Sequence, residues 1–165
     1  MSVKESRREL RFSQLSEITA ELKRLLNDGY EQTGDWNLAQ TCLHLNEWMK
    51  FPMDGFPRPP FFARIMLSTL KMTRGKSILS NILESKSMAA GGPTMPDTVF
   101  EVNGKSDGEA VQELSFSIER LEKHRGRIHD SPLFGEMDKD TLEQLQLVHC
   151  AHHLSFLHPK SESND

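Results

Sequence analysis

Cysteine is scarce in this chain: Cys42 and Cys150 are the only two, and both fall in stretches with helical periodicity. That placement cannot staple loops together, which excludes the disulfide-built class of small secreted folds. Long apolar runs are also lacking. The longest, at about 59–67, already holds Arg64 and is too short to span a bilayer. The first eight residues are polar and have no apolar core of the kind a signal peptide needs, so a cytoplasmic location is expected. A surplus of positive charge is missing too. The net charge of −4 gives no global attraction for nucleic acid.

What remains fits one soluble domain over residues 1–165 with a polar tail from about 160. At 165 residues with 36% hydrophobic content, the chain is long enough to bury a core. Apolar periodicity marks four principal helices. The first, at 13–27, carries Leu15, Ile18, Leu22, Leu25 and Leu26, with Ser13 as its cap and Asp28-Gly29 as its stop. Glu21 and Arg24 read as its solvated face. The second covers about 36–51 and is ended by Pro52. Its apolar arc is Leu38, Cys42, Leu45, Trp48 and Met49, while Trp36 and Leu43 project elsewhere. The third opens on a capping box, Ser106 with Glu109, and runs to about 125. The fourth covers 141–157, with Asp140 and Glu143 placed to cap it.

Between the second and third helices lie a turn-rich connector at 53–60, a helix at 61–71 carrying Phe62, Ile65, Met66 and Leu70, and a break at Gly75. The helix resumes at 77–84 and is followed by a Gly-, Pro- and Ser-rich stretch at 85–107, in which 98–102 has an extended pattern. Connections this long often serve as lids or binding loops. The basic residues Arg64, Lys71, Arg74 and Lys76 read as a solvated face and not as a membrane-resting one. The expected fold is all-α: a four-helix bundle with an elaborated connection between its second and third main helices, without internal repeats or a sheet.

The candidate chemistry sits in histidines. Residues 147–154 pack three of the chain's seven histidines into five positions. At about 100° per residue, His149 falls near the middle of the face formed by Leu142, Leu145, Val148, Phe156 and Leu157. His153 lies roughly 40° to one side and His152 roughly 60° to the other. Histidines one turn apart can share a metal ion, and the same spacing also fits core histidines satisfied by hydrogen bonds. On the second helix, His44 lies inside the apolar arc near its edge, beside Gln40 and Glu47. That position suits a site or a wet border strip equally. His44, His149 and either His153 or His152 would place three imidazoles around one ion and leave a fourth position open, the composition of a catalytic metal site. Glu47 is a candidate base or supporting partner, or simply a surface carboxylate. No catalytic residue is assigned.

Trp36-Asn37-Leu38-Ala39-Gln40, then Leu43-His44-Leu45, and much later His149-Cys150-Ala151-His152-His153 resemble the DinB/YfiT-like superfamily of metal-dependent four-helix bundles. Met53-Asp54-Gly55-Phe56-Pro57, Leu133-Phe134-Gly135 and His152-His153-Leu154-Ser155-Phe156-Leu157 resemble a bacterial branch of it. The resemblance runs from about Arg11 to Pro159. It implies a metal triad of His44, His149 and His153, with His152 as a neighbour. Zinc or nickel would suit such imidazole ligands. Some relatives are metal-dependent transferases or isomerases that use a low-molecular-weight thiol. The expectation is therefore a metal-binding bundle acting on a small molecule, with thiol transfer as its candidate reaction. The alternative is a non-catalytic metal- or ligand-binding bundle or homodimer scaffold, and neither nucleic acid nor membrane is expected as a partner.

Overall fold

Helix α1 (Leu15–Asp28) buries Leu15, Ile18, Leu22 and Leu25, while Leu26 stays 40% exposed at the edge of the stripe. The structure, a computed structural model, describes residues 7–58, 60–89 and 104–160. Gln14, not Ser13, stands at the cap of α1. The Ser13 backbone N–H and hydroxyl instead donate to the Glu17 carboxylate, each at 2.7 Å. Glu21 corrects the expectation of a solvated face: it is buried, and the Arg8 guanidinium forms an ion pair with it. Arg8 also donates to the Leu157 carbonyl at 2.8 Å, so one side chain ties the N-terminal segment and α1 to the end of the chain.

No sheet was expected, yet β1 (Tyr30–Gln32) pairs antiparallel with β2 (Leu157–Pro159), Tyr30 opposite Pro159 and Gln32 opposite Leu157. Three-residue strands are too short to display alternation, so periodicity cannot find them. The fourth principal helix consequently stops earlier than expected, at Leu154, and the chain turns back as a strand.

Helix α2 (Leu38–Asp54) begins at a capping box of Asn37 with Gln40. The chain's single tyrosine secures that start. The Tyr30 hydroxyl accepts from the Leu38 N–H (3.0 Å) and donates to Asp107, whose other oxygen accepts from the Ala39 N–H (2.9 Å). Pro52 does not end α2 but lies inside it. A proline at that position removes the N–H that the Trp48 carbonyl would accept. The Gln146 side-chain amide supplies the donor instead, at 2.9 Å. The helix survives its proline because a neighbouring helix repairs the broken rung.

Helix α5 (Asp107–Lys123) starts at the expected box of Ser106 and Glu109. Helix α6 (Lys139–Leu154) is capped by Asp138, which accepts from the Thr141 N–H, and not by Asp140. The core joins apolar side chains of α1, α2, α5 and α6 in one cluster. Inside it a polar pair, the Ser117 hydroxyl donating to Asn46 at 2.6 Å, links α5 to α2.

The long connection holds α3 (Phe61–Leu70), a π turn (Lys71–Gly75) and α4 (Lys76–Ser85) as one helical run, so Gly75 marks an extra-wide turn and not a break. A Cβ on Gly75 would lie 2.4 Å from the Leu133 carbonyl oxygen, which explains the glycine. Phe61, Phe62, Ile65, Met66 and Met72 are exposed along this run. The expected turns at 91–96 and the extended segment at 98–102 lie outside the described residues.

Gly75→Ala is expected to lower stability by about 2 kcal/mol, because the methyl must displace backbone. Thermal denaturation beside Gly108→Ala checks this. Gly108 has nothing within 4 Å of its Cβ position and lies in α5, so its alanine variant should match or exceed the parent.

Candidate metal centre

His44 is 2% exposed, midway along α2, which settles the border-strip question in favour of the interior. His149 and His153 reach it from α6, partly buried and one turn apart. Nε2 of His149 lies 3.3 Å from Nε2 of His44 and 3.1 Å from Nε2 of His153. One ring nitrogen from each of the three falls within 4.8 Å of the other two. Four-coordinate zinc with bonds of about 2.0–2.1 Å holds its nitrogens roughly 3.3–3.4 Å apart. Two of the three spacings therefore already suit a shared ion. The angular ambiguity between the neighbouring histidines is resolved in space: His153 joins His44 and His149, and His152 does not.

His152 faces another way. Its Nδ1 accepts from Arg7 at 3.1 Å, and it lines a surface cleft of about 250 Å³ with Arg7, Arg11, Lys86 and Met88. Glu47 pairs with Lys50 at 2.8 Å and is not among the clustered groups. His124 lies against the Arg127 carbonyl, at 3.1 Å, near the end of α5.

Two tryptophans wall the cluster. Trp36 sits just outside the Asn37 cap, where its ring stacks on His153 (5.3 Å between centroids, 11° between planes) and comes within 4.9 Å of His44. It faces the site, contrary to the expectation that it projects elsewhere. The helical projection fails there because Trp36 precedes the helix. Trp48, one turn beyond His44, meets the His149 ring edge-on at 5.7 Å and 87°. Gln146 was not singled out from the sequence. Its signal was its spacing, three residues before His149 on the same face of α6.

Burial pushes the pKa of His149 well below that of free imidazole, and the neighbouring histidines add to the effect. His153 is depressed for the same reasons, burial first. Neutral imidazole is the form that binds metal, so these rings need not shed a proton to do so. Burial drives the thiols of Cys42 and Cys150 upward, leaving both as inert apolar fillers of the core.

Three clustered imidazoles form a donor set that zinc or nickel accepts. On residues beside the cluster, Trp48 Nε1 and Gln146 Oε1 are buried polar atoms with no hydrogen-bond partner among the described residues. Such atoms are costly to leave unsatisfied.

The depressed histidines set a pH dependence. An unfolded chain takes up protons on them below about pH 6.5 and the folded chain does not, so their contribution is intact above that value and is lost as pH falls. For His149 and His153 together the loss between pH 6.5 and 5.5 is about 2 kcal/mol. Urea unfolding of metal-free protein at the two pH values measures it, and a His149→Phe variant should show a shallower loss.

No curated protein and no solved structure matches the chain. A family described as "Protein of unknown function (DUF1569)" matches residues 4–160 of the 165. The protein whose helices bring His44, His149 and His153 together belongs to that family.

Proposed function

We propose that the protein is a DinB-like four-helix bundle, formed by α1, α2, α5 and α6, in which His44, His149 and His153 hold one divalent metal ion, zinc or nickel. The observation that carries this reading is the pair of Nε2 spacings, 3.3 and 3.1 Å, with burial holding the pKa of His149 and His153 down. The bound ion would supply Lewis acidity, lowering the pKa of a thiol brought to it or polarising a carbonyl.

The chain's own groups define the rest. Trp36 and Trp48 exclude water from two sides of the cluster. Cys42 and Cys150 are buried with their thiols pushed up, so a reacting thiol comes from outside the chain. The enzymatic form of the proposal is transfer of a small thiol to an electrophile. A second reading, a non-catalytic metal-binding bundle that pairs with its own copy, draws support from the exposed Phe61, Phe62, Ile65 and Met66 on α3.

Metal analysis of protein purified without a histidine tag tests the centre. About one equivalent of zinc or nickel per chain is expected, lost in His44→Ala and in His149→Ala and retained in His152→Ala. Absence of metal after reconstitution would leave the histidines as lining residues of a bundle. If metal binds, a screen of small thiols against electrophiles separates enzyme from scaffold, and light scattering gives the oligomeric state.

A further inference from the structure

Helix α6 presents a second stripe besides the one that carries His149 and His153. Val148, Ala151, His152 and Ser155 follow one another at helical spacing, roughly a third of a turn round from the candidate ligands. They line the surface cleft of about 250 Å³, and the N-terminal segment and the chain just after α4 supply the rest of its lining.

Four basic side chains and one acidic side chain line this cleft. Two of the four have carboxylates of their own: Arg8 pairs with Glu21, and Arg11 with Glu9 at 3.2 Å. Arg7 and Lys86 form no ion pair among the described residues. Arg7 is half-buried, yet its guanidinium meets no carboxylate. It donates to the Met88 carbonyl at 3.2 Å and to His152 Nδ1 at 3.1 Å, and it lies 5.6 Å from the centroid of the Phe156 ring. A cation drawn away from water is costly until an anion sits beside it. Lys86 ends α4 with φ at 49°, a left-handed conformation in which glycine or asparagine costs least. A lysine stands there instead and brings a second unmatched charge to the same cleft.

We propose that this cleft is a binding site for a small organic anion, whose carboxylate or phosphate oxygens are held by Arg7 and Lys86. A guanidinium offers paired N–H donors that match the oxygens of either group, and the ammonium adds a point charge. The site lies on its own flank of α6 and does not depend on the metal reading. The edge-on contact between His152 and His153, 4.8 Å between ring centroids, joins it to the candidate centre.

Calorimetric titration of the full-length protein with inorganic phosphate and with succinate tests the site. Metal is stripped first and the chelator dialysed away, so that no anion is counted on a bound ion, and ionic strength is fixed with sodium chloride. Saturable binding of about one equivalent of at least one anion is expected, about tenfold weaker in Arg7→Gln and in Lys86→Gln. Binding should be unchanged in Arg74→Gln, which removes the same charge from the π turn and not from the cleft. Saturation by succinate alone assigns a carboxylate ligand, and saturation by phosphate alone a phosphate one. Lys86 is exposed, so its variant decides the matter even where Arg7→Gln does not fold. No saturable binding of either anion overturns the proposal, and so does binding that Lys86→Gln leaves unchanged.

Discussion

Desolvation of imidazole governs this molecule. Burial holds His149 and His153 neutral and sets them against the buried His44, and imidazole nitrogens that face one another in this way satisfy one another poorly. Each nitrogen–nitrogen contact needs one proton and one lone pair, and His149 Nε2 takes part in both of the short contacts. A single cation would resolve the conflict by asking all three for lone pairs. The arrangement tolerates this because each ring is held by something stiffer than the contact itself, either a helix or a stacked indole.

That stiffness has local chemical sources. Asn37 and Gln40 fix where α2 begins, Asp107 and Tyr30 fasten that start to α5 and β1, and Gln146 mends the rung that Pro52 breaks. At the same end, where β1 pairs with β2, Arg8 and Glu21 hold α1 to the residues that follow α6. The seam between α2 and α6 is thus braced at one end and again along its length, where Gln146 meets Trp48, by polar contacts that are partly withdrawn from water, where such bonds are strongest.

The helices and the histidines were legible in the sequence because both express themselves as periods. Leu15, Ile18, Leu22 and Leu25 repeat as a buried stripe should, and His44 and His149 fall inside apolar faces. What stayed hidden depends on partners far along the chain. Glu21 reads as solvated until Arg8 is found beside it. Pro52 reads as a stop until Gln146 supplies the hydrogen bond that the proline cannot. Trp36 cannot be placed on a helical projection because it precedes the helix. The choice between His152 and His153 was beyond angular resolution, for both lie within a quarter turn of His149, and only the position of His44 across the seam separates them.

The two tryptophans are the chain's dominant fluorophores, and both rest against the candidate ligands. Excitation of this protein at the red edge of its absorption therefore reads out one place. Neutral and protonated imidazole quench indole to different degrees, and a paramagnetic ion quenches it more strongly still. The intrinsic emission is a built-in report on whether the three rings are empty, charged or filled, with no label attached.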